Sequence, residues 1–322
     1  MNPVNPDLRA VLFGHPVSHS RSPELFRALA AAGGPAVDFQ LRDVPPGSLG
    51  AALDGLRQGR WQAAGVTIPY KEEALAAVDE VVGVAVAAGS INAVARRADG
   101  RLVGANTDGP GFLRALSAFE PALVADGALS VLMLGAGGAA RGVGASLRAL
   151  GARVIVVSRD PAARRGWVPT LADAVIGWDN PELIDAAHAC QLIVQATPLG
   201  MSPRVDAAPP LPEAAILPTH RVVDLVYTPW ETRFLATARA RGARALNGWP
   251  MLVHQAAVAL DFWLGAGAGA GLAAAVRRIE ARDPSAGALE RARGILRAGG
   301  PDAATFDSDA TRQELLEARG TR

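Results

Sequence analysis

Over the first hundred residues, short apolar runs alternate with stretches whose apolar positions recur at helical spacing. Residues 9–14 read as a strand, 23–32 as a helix opened by Ser22 and Pro23, 37–44 as a strand and 49–58 as a helix. Residues 63–68 predict another strand. A helix is expected from Pro69, because proline suits the first helical position and Glu72 and Glu73 suit the dipole of the first turn. Strand and helix in alternation imply a mostly parallel sheet with helices on its faces.

A second series begins near Gly109. Residues 111–119 are helical, and the apolar strand 129–134 runs directly into Gly135-Ala136-Gly137-Gly138-Ala139-Ala140. A helix to Leu150 and a strand over 153–157, ending at Ser158-Arg159-Asp160, complete a strand–helix–strand unit. Strands at 192–196 and 222–226 extend the same sheet. Residues 250–264 turn helical and are expected to fold back, linking or covering the two domains. Beyond them, 265–275 is rich in Gly and Ala, and 283–322 is charged, with helical pieces at 289–298 and 310–318.

The glycine pattern gains its meaning from that setting. Gly135 permits a tight turn, Gly137 lets backbone approach a pyrophosphate, and Ala140 lets the helix pack closely on the strand, while the helix N-terminus offers N–H groups and a positive dipole. The second strand selects the dinucleotide. An acid there would suit the ribose hydroxyls of NAD, whereas Arg159, with Arg164 or Arg165 in reach, suits the 2′-phosphate of NADP. The expected fold class is therefore α/β in two domains. An N-terminal α/β substrate domain with a mostly parallel sheet takes 1–108, and a Rossmann dinucleotide-binding domain takes 109–249. C-terminal helices over 250–282 return to the first domain, and 283–322 is an appended polar tail.

Composition narrows the class. The chain has 322 residues, half of them apolar, and a net charge of +1, so it can bury a large core and gives no reason to expect a nucleic-acid partner. The single cysteine, Cys190, excludes a disulfide framework or a cysteine zinc site and reads as a buried, inert thiol. His15 and His19 are separated by Pro16 and have no nearby acid in sequence, so no metal is expected. No basic segment leads into an apolar run at the start, and the most apolar window, 262–276, is too short to span a bilayer. A cytoplasmic protein, monomer or homodimer, with a small-molecule substrate and no membrane partner is the expectation. One count stands out: of 32 basic residues, 31 are arginine and one, Lys71, is lysine. A chain that uses arginine wherever a fixed positive charge suffices has kept one side chain able to lose a proton.

Polar clusters sit at the strand ends of the first domain, where open α/β sheets place ligands. They are the segment from His15 to Ser22, then Thr67 with Lys71, then Ser90 with Asn92, then Asn106-Thr107-Asp108. Hydroxyls, amide, ammonium and carboxylate together fit a small polyhydroxylated anion. These motifs, together with Ala-Thr-Pro-x-Gly-Met at 196–201, Asp-x-Val-Tyr-x-Pro at 224–229 and Asn-Gly-x-x-Met-Leu-Val-x-Gln-Ala at 247–256, resemble the shikimate dehydrogenase family over roughly residues 10–265.

The resemblance implies NADP(H)-dependent interconversion of shikimate and 3-dehydroshikimate, in the pathway to chorismate and the aromatic amino acids. It implies Lys71 and Asp108 as the catalytic pair, and Ser20, Ser22, Thr67, Asn92, Tyr227 and Gln255 around the substrate. The cofactor would meet Gly135, Ala136, Gly137, Gly138, Ala139, Ala140, Ser158, Arg159, Arg164, Thr197, Leu225 and Gly248. Lys71, at the start of its expected helix, would protonate the oxygen that hydride delivery leaves negative, with Asp108 orienting the ammonium. The family usually has Asn where this chain has Gly65, Thr for Ala93, Asn for Ser158 and Gly for Pro250. Quinate/shikimate or aminoshikimate dehydrogenase is the alternative within the family. A non-catalytic nucleotide-binding regulator is the alternative of another class, against which Lys71 and Asp108 together argue.

Overall fold

The computed structural model describes residues 6–272, apart from His19, Ala32 and Asp126. The expected tail at 283–322 lies outside the described residues. The chain divides into two compact units, one reaching Gly111 and resuming at Val253, the other Phe112–Leu252.

The first unit contains β1 (Leu8–Gly14), α1 (Ser22–Ala31), β2 (Val37–Asp43), α2 (Leu49–Arg57), β3 (Ala63–Val66), β4 (Glu80–Val81), α3 (Ala85–Ala88), β5 (Ala93–Arg96) and β6 (Leu102–Ala105). Its six strands lie in the order β2-β1-β3-β5-β6-β4. All run in one direction except β5, which is antiparallel to both β3 and β6. Phe13, Trp61, Tyr70, Ile91 and Leu102 lie in a core between this sheet and α2. Helix α4 (Asp108–Phe119) begins just beyond β6.

The second unit continues with α5 (Pro121–Ala125), β7 (Ser130–Leu134), α6 (Gly138–Ala149), β8 (Arg153–Ser158), β9 (Ala174–Gly177), α7 (Leu183–His188), β10 (Leu192–Gln195), β11 (Arg221–Asp224), α8 (Arg233–Ala240) and β12 (Arg244–Leu246), before α9 (Trp249–Leu264). Its sheet is wholly parallel, in the order β9-β8-β7-β10-β11-β12. That is the doubly wound order, in which the direction of winding reverses between the first and fourth strands, here β7 and β10. The central strands are apolar along their length because helices cover both faces: Val131, Leu132, Met133, Leu134, Val154, Val156 and Val157 are all buried.

One local reading changes. No α-helix starts at Pro69. Residues 68–72 form a turn, and a 3₁₀ helix follows at Glu73–Ala77. The cause is a long-range bond: the Lys71 carbonyl accepts from the Ile91 N–H at 2.8 Å, so Leu75 N–H turns to the Glu72 carbonyl instead. Pro250 falls in the first turn of α9, where a missing N–H costs nothing. Asn247 supports that turn, its side-chain oxygen accepting from Trp249 N–H at 3.2 Å.

Candidate active site

In the first unit the functional candidates stand on loops that leave the strand ends. His15 N–H donates to the Ile68 carbonyl at 3.0 Å and Thr67 N–H to the Phe13 carbonyl at 2.9 Å, which ties the loop after β1 to the loop after β3. The first loop carries Ser20 and Ser22, whose hydroxyls are 3.2 Å apart. Ser20 Oγ also accepts from Ser22 N–H at 3.3 Å, at the entry to α1. Thr67, half-buried, begins the turn that delivers Lys71.

Lys71 Nζ is ion-paired with Asp108 Oδ2, and the two side chains are only 12% and 7% exposed. Asp108 is fixed from its other oxygen, since Asn92 Nδ2 donates to Oδ1 at 2.8 Å. The same amide nitrogen donates to Thr107 Oγ1 at 2.9 Å, while Asn92 Oδ1 accepts from Thr107 N–H at 2.7 Å. The Asn92 side chain thus joins Thr107 to the Asp108 carboxylate. One layer below, Asn106 Oδ1 accepts from the backbone N–H groups of Asp108 and Gly109 at the start of α4, and its Nδ2 donates to the Ser90 carbonyl and hydroxyl. Gln255, on α9, brings its Oε1 within 3.4 Å of Thr107 Oγ1. Lys71, Asp108, Asn92 and Gln255 therefore share one hydrogen-bonded group with Thr107. In sequence Asn106 and Thr107 are only parts of a motif; their buried positions are what show them as supports.

His15 does have an acid beside it, contrary to expectation. Its Nδ1 lies 2.8 Å from Asp43 Oδ2, because β1 and β2 are neighbours and both end there. Among the described residues no group of three or more His, Cys, Asp or Glu side chains could hold a metal ion, and His19 lies outside them.

The second unit places the glycine turn between β7 and α6. Gly135 has φ +107°, a left-handed conformation that glycine tolerates, and a Cβ there would stand 2.7 Å from Thr197 Cγ2. A Cβ on Gly137, by contrast, would meet nothing within 4 Å. Open space therefore lies over the N-terminus of α6, and Gly137 has no side chain to cap it. That is the room and the polarity a pyrophosphate requires. Ala140 is fully buried against the sheet. Ser158 closes β8 with its Oγ accepting from Asp160 N–H at 3.2 Å, and Asp160 Oδ1 accepts from Ala163 N–H at 2.9 Å. The carboxylate nearest the end of β8 is thus occupied locally, while Arg159 is exposed and Arg164 half-buried. This donor set fits a 2′-phosphate. Leu225 and Gly248 meet directly: a Cβ on Gly248 would fall 2.1 Å from the Leu225 carbonyl oxygen. Tyr227 follows on the same loop, half-buried.

A relative from Moorella thermoacetica named shikimate dehydrogenase (NADP(+)) is 41% identical over 266 residues, which cover 79% of this chain and 87% of that protein. The chain belongs to the shikimate dehydrogenase family. The family of the shikimate dehydrogenase substrate binding domain matches residues 12–94. The crystal structure of shikimate 5-dehydrogenase from Thermus thermophilus, in complex with NADP(H) and shikimate, matches with a TM-score of 0.71 at 34% identity, covering 90% of this chain and 100% of that one. A quinate dehydrogenase from Corynebacterium glutamicum, in complex with NAD, matches at 0.70 and 30% identity, covering 81% and 95%. Gly65 on β3 and Ala93 on β5 are cross-strand partners. A Cβ at Gly65 would stand 2.9 Å from Leu12 Cδ1, so a larger residue there requires Leu12 to move.

Proposed function

We propose that this chain is an NADP-dependent oxidoreductase that interconverts shikimate and 3-dehydroshikimate, with Lys71 as acid/base and Asp108 as its partner. The observation that carries the reading is the buried Lys71–Asp108 ion pair, gripped by Asn92, in a chain with no other lysine. Ser20, Ser22, Thr67 and Gln255 supply hydroxyl and amide groups for the carboxylate and hydroxyls of the substrate, and Tyr227 is assigned beside them.

NADP would be held by the Gly135–Ala140 turn, by Ser158, Arg159 and Arg164 at its phosphate, and by Thr197, Leu225 and Gly248 farther along; when bound it supplies or accepts the hydride. The residues of the chain do the rest. Lys71 Nζ donates to the ketone oxygen, stabilises the negative charge as it develops and passes its proton to that oxygen. Asp108 keeps the ammonium aimed and balances its charge. In the oxidative direction Lys71 accepts the proton from the hydroxyl. Arginine could stabilise the charge but could not make the transfer, because a guanidinium keeps its proton.

Steady-state rates with shikimate and quinate, each with NADP+ and NAD+, test the reading. Shikimate with NADP+ is expected to give the highest kcat/KM, and Arg159→Gln to narrow the preference for NADP+ about tenfold, the scale of one charge-assisted hydrogen bond. Preference for quinate with NAD+ would move the chain to the quinate alternative. Binding of NADP+ without any NADPH formation would make it a silent nucleotide binder.

A further inference from the structure

The loops flanking the point where the second sheet reverses its winding rest on a buried polar cluster. Asp224, at the end of β11, is fully buried and accepts three hydrogen bonds. Thr232 Oγ1 donates to Oδ2 at 2.6 Å; Val226 N–H and Gln195 Nε2 donate to Oδ1 at 2.9 and 3.3 Å. Each donor belongs to a different piece of chain. Gln195 ends β10 and governs the loop beyond it, since its Oε1 accepts from Thr197 N–H at 2.5 Å and its Nε2 also donates to the Leu199 carbonyl at 3.0 Å. That loop touches the glycine turn, because Ala196 and Thr197 are what a side chain at Gly135 would strike. Val226 lies in the loop after β11, and its carbonyl accepts from Gly248 N–H at 3.0 Å. Thr232 caps α8, accepting from Leu235 N–H. One carboxylate therefore sets the loop after β10, the loop after β11 and, through Val226, the segment at Gly248.

We propose that Asp224 is a positioning residue for the dinucleotide: its carboxyl group, through Gln195 and Val226, holds the loops carrying Thr197, Leu225 and Gly248 in the register that receives the cofactor. The inference rests on the reading of the second unit as the NADP-binding half. It differs from a role in general stability by acting far more on one ligand than on the other, since shikimate is assigned chiefly to residues of the first unit and Tyr227 is the one substrate residue assigned to a loop that Asp224 holds.

The experiment is titration of NADP+ by calorimetry, with the shikimate KM and thermal melting measured on the same preparations. For Asp224→Ala the NADP+ Kd is expected to rise about tenfold or more, with the shikimate KM at saturating NADP+ within about twofold of the parent. Asp224→Asn keeps an acceptor for Val226 and Gln195 and is expected to stay within about threefold for NADP+. Should Asp224→Ala fail to fold, Gln195→Leu, which preserves volume and cuts the link to Thr197 and Leu199, is expected to weaken NADP+ selectively in the same way. A folded Asp224→Ala or Gln195→Leu protein with parental NADP+ affinity would overturn the proposal, as would an equal loss for both ligands. A parent protein that does not bind NADP+ would overturn the functional reading and this inference together.

Discussion

In the first unit the candidate chemistry is carried by side chains that are themselves fixed: Lys71 by Asp108, Asp108 by Asn92, and the backbone beneath by Asn106. In the second unit it is carried by backbone, with open space over Gly137 and close neighbours at Gly135 and Gly248, and the polar supports at Gln195, Asp224 and Thr232 lie out of contact with solvent beneath the loops. The difference follows from what each half must recognise. A small hydroxylated anion offers a few directional groups, which call for placed donors and one proton carrier. A dinucleotide offers a pyrophosphate that backbone N–H groups can meet only where no Cβ intervenes. The sheets differ to match. Reversing β5 brings the end of the loop before it, at Asn92, against Thr107 beyond β6, whereas the wholly parallel second sheet puts every loop that leaves a strand at one edge.

The contrast can be broken most sharply in the first unit. Lys71→Ala and Asp108→Asn are each expected to lower kcat by about a hundredfold or more, the scale of a positioned acid or base, with NADP+ affinity held within about twofold. If Asp108→Asn turned over like the parent, the carboxylate would not be orienting the ammonium. In the second unit a single methyl should do smaller damage, to binding rather than chemistry. Gly248→Ala places a Cβ against the Leu225 carbonyl and is expected to raise the NADP+ Kd about tenfold or more, read by calorimetry, with the shikimate KM little changed.

The buried cluster of the second unit also sets a pH dependence of stability. Burial pushes the Asp224 carboxyl up to about 7, from an ordinary value of 3.8. Between those values the folded chain keeps a proton that the unfolded chain has released. The contribution of this group is therefore fully present below 3.8 and lost as pH rises through about 7. His220, also buried, is shifted down from 6.5 chiefly by burial, so its contribution is present above 6.5 and lost as pH falls through its folded value. Asp224→Asn removes only the first of these. Its unfolding free energy relative to the parent should improve between pH 4 and 7 by on the order of 4 kcal/mol, at roughly 1.4 kcal/mol per pH unit, and level off above. Denaturant melts that give a constant difference over that range would contradict the buried-acid account.

Much of this arrangement was legible in the chain. The run from Leu134 into the glycine turn and the arginine after β8 needed only local pattern, which is what periodicity and turn chemistry report, while the order of the polar motifs carried meaning through the family resemblance. What escaped was non-local. The antiparallel β5 is four residues long, begins with Ala93 opposite Gly65, and owes its existence to pairing on both sides rather than to its own residues. The turn at Lys71 replaces a helix because Ile91, twenty residues away, takes the carbonyl that a helix would use. In sequence Asp224 falls inside the expected strand 222–226 and opens the Asp-x-Val-Tyr-x-Pro motif. Its meaning comes from Gln195 and Thr232, which no spacing rule connects to it.

In the proposed reaction the only lysine of the chain transfers a proton. Lys71→Arg keeps the charge and removes the transfer, so its kcat with shikimate and NADP+, measured beside the Kd of NADP+, tests that claim most directly. The account predicts a kcat lower by about a hundredfold or more in a protein that folds and binds NADP+ like the parent. Turnover near that of the parent would contradict it.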